Sequence, residues 1–292
     1  MRTWVITTMT LTAMVMLMTG CRQSEIWEMR QENAVYYWRT EWRTDSVERD
    51  FLQRFHVQKV YCRYFDVVMR DGQPMPNASI RFVEGQLPGI QLVPTVFITE
   101  DCMHHPRKEL AKLLVDRIVQ MNDTHDIAGI KELQVDCDYT ARSRQTYYDF
   151  LQQVRSEARR HGMALSATIR LHQLSMPVPP VDYGVLMIYN TGDPYRFAER
   201  NPILDMRDVR PYLRYLAGYE LPLAAAYPAF RWIRNFQGVH LEHTAEASEV
   251  LKVKAAMEKE RPELRNTILT YHLDKENINH YKTETYEAIY HH

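Results

Sequence analysis

The chain has 292 residues, of which 45% are hydrophobic and 25% are charged. This ordinary globular composition excludes a disordered, collagenous or coiled-coil protein. The formal net charge is -1, from 36 basic and 37 acidic residues, so the chain has no basic excess to hold a phosphate backbone. We therefore expect no nucleic-acid partner.

The N-terminus has the layout of a bacterial secretory signal. Arg2 is followed by an uncharged apolar run over residues 5–18, which is short for a membrane span, and then by two small residues before Cys21. This ending resembles a lipobox, with Met18 where leucine is usual. The resemblance implies that Cys21 is lipidated and becomes the new N-terminus. A plain signal peptide or an uncleaved anchor helix is the alternative.

This interpretation divides the chain into three parts. We expect a lipoprotein signal with its lipidated cysteine over residues 1–21, a short tether over residues 22–33, and a single domain over residues 34–292. Acyl chains would hold the protein on a membrane surface by burying methylene groups. The expected location is the bacterial cell envelope, with the outer membrane as the expected membrane.

Eight segments rich in β-branched and aromatic residues are predicted to be strands. They are residues 35–38, 60–67, 93–99, 133–138, 165–172, 185–190, 221–227 and 267–272. Most are separated by stretches with helical periodicity, and this alternation predicts a parallel α/β sheet. Eight such units predict a (β/α)8 TIM barrel, a fold of typically ~250 residues. A doubly wound open sheet is the runner-up, but no glycine-rich phosphate loop follows the first strand.

Two connections are predicted to be irregular. Residues 70–91 contain three prolines and favour a hairpin over a helix between strands two and three, and residues 174–181 contain three more, which leave no room for a full helix between strands five and six. The last residues, 284–292, are expected to form a tail or an extra strand.

No metal or other cofactor is expected. Apart from Cys21, the cysteines are Cys62, Cys102 and Cys137, an odd number without a CxxC pair, which favours buried thiols over a disulfide framework or a zinc ribbon. The histidines also lack the HxH and HExxH spacings of metal sites.

Strands four and five carry the strongest functional pattern. Asp136 and Asp138 share one phase of strand four, and Arg170 and His172 share one phase of strand five, while the opposite phases are apolar. Because active sites of barrels lie at the C-terminal ends of the strands, we expect these side chains to point into the lumen at that end, called the mouth below. Two carboxylates there would titrate as a coupled pair, and one with a raised pKa could act as general acid or base. Alternatively, Asp136 bonds to the neighbouring strand and Asp138 pairs with Arg170 or Arg63.

Other strand ends supply candidates for substrate binding. Strand two is predicted to end near Asp66, strand six near Asn190, and strand eight at His272. Together with their neighbours the candidates are Tyr64, Asp66, Tyr189, Asn190, Trp232, Tyr271 and His272. Polar groups that take hydroxyls and aromatic faces that cover C–H groups suit a sugar ligand, so a glycan or oligosaccharide is the expected partner.

The fourth and sixth strands resemble motifs of glycoside hydrolase family 18, the chitinase-like barrels. Residues 133–140, LQVDCDYT, are similar to D-x-D-x-E, and residues 184–190, GVLMIYN, are similar to M-x-Y-D, with Asn190 at the final aspartate. The resemblance implies a (β/α)8 barrel with Asp138 near the reacting centre and Tyr189 near the 2-substituent of the sugar. The glutamate that donates the proton in that family is replaced by Thr140, which we expect to cap the following helix.

The whole mature chain also resembles bacterial lipoproteins with predicted glycosidase-like barrels, a likeness that implies no particular activity. Residues 60–67, 134–140, 166–173 and 186–192 carry it.

Three functions remain open from the sequence. The first is a surface-anchored glycoside hydrolase, in which Asp138 is the acid/base or an electrostatic stabiliser, Asp136 sets its pKa, and Asp66 or Asp193 supplies the missing acid. The second is a glycan-binding lipoprotein that has lost the catalytic acid. The third is a structural component of an envelope complex.

Overall fold

The strands form one large sheet and two small ones. The computed structural model describes residues 31–104, 107–193, 200–236 and 239–292. Its strands are β1 (Glu32–Tyr37), β2 (Glu41–Trp42), β3 (Val57–Arg70), β4 (Gln73–Asn77), β5 (Arg81–Phe82), β6 (Gln91–Ile98), β7 (Glu132–Asp136), β8 (Ala164–Arg170), β9 (Tyr183–Met187), β10 (Leu223–Pro228), β11 (Arg231–Phe236), β12 (Val239–Thr244) and β13 (Thr267–Tyr271).

Eight of these strands close into a parallel barrel. In order around the barrel they are β1, β3, β6, β7, β8, β9, β10 and β13, and β1 pairs with both β3 and β13. Each overlaps one of the eight predicted strands. The predicted (β/α)8 TIM barrel is therefore confirmed, and the open sheet is excluded.

Helices cover the outside of the barrel. They are α1 (Ser46–Arg54), α2 (Asp101–His104), α3 (Leu110–Thr124), α4 (Arg144–Arg160), α5 (Met206–Leu216), α6 (Ala247–Glu260), α7 (Lys275–His280) and α8 (Thr283–Ile289), with 3-10 helices at Leu171–Ser175 and Pro262–Arg265. Within the described residues no helix has the length and apolarity to cross a membrane. Because α4 begins at Arg144, with Ser143 as its N-cap, the prediction that Thr140 caps it is wrong.

The two irregular connections lie in the proline-containing segments where they are predicted. Strand β4 pairs antiparallel with β3 as a hairpin, and only the 3-10 helix Leu171–Ser175 follows β8. The C-terminal residues form α8, so the predicted tail or strand is wrong. The buried side chain of Tyr286 anchors α8 to the barrel, because its ring packs with its centroid 4.9 Å from that of Phe51 in α1.

Polar side chains fill the lumen in layers. Near the N-terminal ends of the strands, Lys59 lies 3.4 Å from Glu132, and Ser166 donates a hydrogen bond of 2.7 Å to the same carboxylate. One layer further up, Tyr36 donates to Gln134 over 2.9 Å. The polar phases of strands four and five therefore face the lumen, as predicted. Outside it, Cys62, Cys102 and Cys137 are buried free thiols, also as predicted.

Candidate functional site

The central feature of the mouth is an arginine that bridges two aspartates. Asp136 ends β7 and is 3% exposed; it accepts a hydrogen bond of 2.6 Å from the Thr168 hydroxyl, and its Oδ1 lies 3.4 Å from Arg170 Nη2. Asp138, whose side chain is 58% exposed, accepts from Arg170 Nε. Both contacts of the structural alternative, a bond to the neighbouring strand and a pair with Arg170, are present.

The two carboxylates differ in environment. Burial raises the pKa of Asp136; the Arg170 charge opposes this shift, and the Asp138 charge adds to it. Burial alone would lower the pKa of Arg170, but Asp136 and Asp138 raise it above its ordinary value, so the guanidinium stays charged. Burial therefore inclines Asp136 toward its protonated form.

Asp138 and Arg170 line an open cavity of about 260 Å³ over the ends of β7, β8 and β9. Its other lining residues are Leu171, His172, Met187, Tyr189, Asn190, Thr191 and Tyr212. His172 lies in the 3-10 helix and not in the strand; burial lowers its pKa, although Asp138 acts in the opposite direction. The cavity therefore combines a carboxylate, a guanidinium, an amide, an imidazole and two aromatic rings, and it joins five of the predicted site residues.

Tyr189 lines this cavity and carries a buried hydroxyl group. The residue is 3% exposed, and its ring lies 4.9 Å from that of Tyr271 and 5.9 Å from that of Phe230. Among the residues that the structure describes, its buried hydroxyl has no hydrogen-bond partner. Burial raises the pKa of Tyr189 well above its ordinary value, so the phenol stays protonated and is able to donate a hydrogen bond.

An aromatic wall continues from Tyr189 across the mouth. The Tyr271 ring lies 6.1 Å from that of Trp38, and the Phe230 ring lies 6.4 Å from that of Trp232. Trp38 was missed as a site residue, although it follows β1 in the same phase as Tyr36. His272 packs against Tyr271 with ring centroids 5.0 Å apart, and burial lowers its pKa.

The end of the second barrel strand differs from the prediction. Strand β3 runs on to Arg70, so Asp66 is not its last residue; Asp66 accepts a 2.7 Å hydrogen bond from Arg63 Nε. Tyr64 lies outside the site, because it is fully buried and its hydroxyl donates to Asn122 of α3 over 2.9 Å. The prediction that Tyr64 faces the mouth is therefore wrong.

Two further residues hold the site and were missed. Gln173 is fully buried; it accepts from the backbone N–H of Arg170 over 2.8 Å and donates to the carbonyl of Tyr139 over 3.1 Å. Glu100, two residues after β6, accepts from the hydroxyl of Thr140 over 2.6 Å. The rule that singled out other strand ends applies to Glu100 too, whereas a buried glutamine in a 3-10 helix gives no sequence signal.

Solved structures share this fold, although no protein-family model and no curated protein matches the sequence. The Bacillus cereus spore cortex-lytic enzyme SleL is 14% identical, with a TM-score of 0.55 over 90% of this chain and 74% of that chain. A chitinase from Chromobacterium violaceum is 14% identical, with a TM-score of 0.54 over 89% and 98%. Catalytic domain 2 of the Ostrinia furnacalis Group II chitinase, as a mutant in complex with (NAG)5, is 11% identical, with a TM-score of 0.53 over 90% and 96%. At these identities the likeness shows the barrel fold alone.

Proposed function

We propose that the mouth binds a glycan that contains N-acetylhexosamine. The observation that carries the proposal is the cavity of about 260 Å³, in which Asp138, Arg170 and Asn190 lie beside the rings of Tyr189 and Tyr212. A few polar groups set against aromatic faces are what a sugar ring requires. The unpartnered hydroxyl of Tyr189 would suit the carbonyl of an acetamido group, and the chitinase structures of the same fold support this ligand class.

Binding without hydrolysis is the function that the geometry supports best. Cleavage of a glycosidic bond needs a carboxyl that gives its proton to the leaving oxygen. Thr140 stands where the family-18 motif has this acid, and its hydroxyl donates to Glu100. The two remaining motif carboxylates, Asp136 and Asp138, are both engaged by Arg170.

Hydrolysis is the second candidate, and Asp136 favours it. Burial raises the pKa of this carboxyl, and a raised carboxyl can serve as an acid or base. In this version Asp138 acts as acid/base or stabiliser and Asp136 sets its pKa. The separation of Asp138 from a second carboxyl across the sugar would then determine retention or inversion.

One experiment distinguishes the two candidates. Purified protein is titrated with (GlcNAc)5 by calorimetry, with cellopentaose as the control ligand, and the mixture is then analysed by mass spectrometry. We expect binding of (GlcNAc)5 without shorter products, and a loss of at least about tenfold in affinity in Asp138→Asn, the equivalent of one charged hydrogen bond. Asp149→Asn, on the outer helix α4, is the matched control.

The outcomes of this titration are separable. Shorter oligosaccharides that disappear in Asp138→Asn would favour the hydrolase. An absence of binding to (GlcNAc)5 and to every glycan of an array would contradict both candidates. Equal affinity of Asp138→Asn and wild type for (GlcNAc)5 would mean that the glycan binds outside this cavity.

We further propose that a lipid on Cys21 holds the protein in the bacterial cell envelope, with the outer membrane as the expected membrane. The support is the lipobox-like sequence around Cys21; residues 1–30 lie outside the described residues. Cys21→Ser should move the protein from the membrane fraction to the soluble fraction. Continued membrane retention would contradict lipid anchoring.

A further inference from the structure

A single carboxylate oxygen ties two barrel units together beside the site. Glu100 Oε1 accepts hydrogen bonds from the hydroxyl of Thr140 over 2.6 Å, from the backbone N–H of Thr140 over 3.1 Å and from the hydroxyl of Ser143 over 2.6 Å. Glu100 follows β6, whereas Thr140 and Ser143 belong to the loop between β7 and α4. That loop, residues 137–143, also carries Asp138.

Helix α4 has no side-chain capping bond at its own N-terminus. Its N-cap is Ser143, and its first turn contains no acidic residue. The 17 residues of α4 still present free N–H groups and the positive end of a helix dipole. Because the hydroxyl of Ser143 donates to Glu100, this glutamate supplies the negative charge that the helix start lacks.

The loop is held from its other side as well. Gln173 donates to the carbonyl of Tyr139 and accepts from the backbone of Arg170. Asp138 itself lies beyond the end of β7, so no strand ladder fixes it. Its position is therefore set by its ion pair with Arg170 and by its two following neighbours, of which Thr140 is held by Glu100.

We propose that Glu100 is a positioning residue of the glycan site, which orients Asp138 through Thr140 and Ser143. In the family-18 motif a glutamate stands at the position of Thr140. Here Glu100, which follows the neighbouring strand, places a carboxyl group beside that position, and this carboxyl group accepts hydrogen bonds. Burial raises the pKa of Glu100, but the hydrogen bonds from Ser143 and Thr140 outweigh it and hold this pKa below its ordinary value. A carboxylate that stays ionised is suited to accept hydrogen bonds and poorly suited to donate a proton.

The test compares two substitutions of Glu100. Glu100→Ala removes the acceptor and should weaken binding of (GlcNAc)5 about tenfold, the equivalent of one lost charged hydrogen bond. Glu100→Gln keeps an acceptor oxygen and should stay within about threefold of wild type, since a neutral acceptor loses only part of that energy. Asp101→Ala is the matched control, because it removes a neighbouring carboxylate that contacts Thr99 and not the loop.

Amide hydrogen exchange of Thr140 provides a readout that needs no ligand. The Thr140 N–H donates to Glu100 and also, over 3.1 Å, to Ser143 Oγ, whose hydroxyl is itself held by Glu100. Exchange should therefore accelerate in Glu100→Ala, which removes one acceptor and frees the other, and stay close to wild type in Glu100→Gln and Asp101→Ala. The ligand readout rests on the proposed function; if the wild type binds no glycan, that function fails while exchange still decides the role of Glu100. Unchanged exchange and affinity in Glu100→Ala would overturn the proposal. So would a wild type that cleaves (GlcNAc)5 and loses only cleavage in Glu100→Gln, because Glu100 would then be the acid.

Discussion

Removing the guanidinium of Arg170 should destabilise the barrel through Asp136. In Arg170→Met the aliphatic stem is kept and the charge is lost. The side chain of Asp138 is 58% exposed, so water can replace its lost partner. The side chain of Asp136 is only 4% exposed and, within the described part of the chain, would keep the hydroxyl of Thr168 as its hydrogen-bond donor. The cost of the substitution therefore falls on Asp136.

The expected size follows from the burial of this pair. Breaking a buried ion pair by removing one partner typically costs about 3–5 kcal/mol. Because the side chain of Arg170 is 18% exposed, we expect the lower end of that range. For a barrel of this size a loss of about 3 kcal/mol corresponds to a fall of about 6–12 °C in melting temperature.

The loss should depend on pH with a defined sign. Burial raises the pKa of Asp136 in the folded protein, and Arg170 opposes that shift, so Arg170→Met should raise the pKa further. A carboxyl with a raised folded-state pKa favours folding below its unfolded pKa, and this contribution is lost as the pH rises through the folded value. The destabilisation in Arg170→Met should therefore be largest at neutral pH and shrink toward about pH 4, near the ordinary pKa of aspartate.

Urea denaturation of wild type and Arg170→Met at pH 4.5 and 7.5 measures this effect. Arg160→Met is the control, because Arg160 pairs with Glu157 on the exposed side of α4 and should cost less than about 1 kcal/mol. Adding Asp136→Asn to Arg170→Met removes the unpaired buried charge and should recover most of the lost free energy of unfolding. A loss of equal size at both pH values, or no recovery in the double variant, would refute the reasoning.

Three further substitutions test the lumen and the apolar layer outside it. Tyr189→Phe removes a hydroxyl that has no partner among the described residues, so stability should change by less than about 1 kcal/mol, while affinity for (GlcNAc)5 should fall about tenfold by calorimetry; unchanged affinity would separate this hydroxyl from the ligand. Lys59→Met leaves the fully buried Glu132 without its cationic partner and should lower the free energy of unfolding, measured in urea, by about 3–5 kcal/mol. The control Lys112→Met removes an exposed ion pair and should cost less than about 1 kcal/mol. A small loss in Lys59→Met would contradict the assignment of Lys59 and Glu132 to a buried layer of the lumen. Gly184→Ala places a methyl group 2.8 Å from Ile169 and should cost about 1–3 kcal/mol of overpacking in the same assay, and a neutral result would mean that the core there relaxes.

The barrel could be predicted because its signals are local. Runs such as residues 165–172 alternate apolar and polar side chains, and this period-two pattern puts Thr168 and Arg170 on the lumen side, where the structure finds them beside Asp136. The three prolines of residues 70–91 likewise disfavour a helix there, because each lacks the N–H that a helix interior needs. The contact between Asp136 and Arg170 needs only these phases and the adjacency of the two strands, whereas Asp138 follows the end of β7 and its place also depends on the loop.

Contacts that depend on tertiary packing could not be predicted in this way. Thr140 has the residue type of a helix cap, but Glu100 from another barrel unit binds its hydroxyl, and α4 begins only at Arg144. The helical conformation of α8 likewise depends on a contact distant in sequence, because the ring of Tyr286 packs against that of Phe51 in α1. Local propensity alone does not determine where α4 begins or whether the C-terminal residues form a helix. In both cases a contact with a residue distant in sequence determines the structure.

The stretch from Arg63 to Asp66 shows where period-two reasoning fails. Two residues three apart in a regular strand point to opposite faces, yet Arg63 and Asp66 are paired. The pairing of β3 with β6 shifts between Arg63 and Phe65, so an extra residue reverses the phase there. This bulge brings Asp66 to the lumen side, where its charge acts on Asp136, whereas Tyr64 keeps the outward phase of Cys62 and contacts α3. No glycine or proline marks the bulge within residues 57–70, so the phase of every side chain beyond it requires the structure.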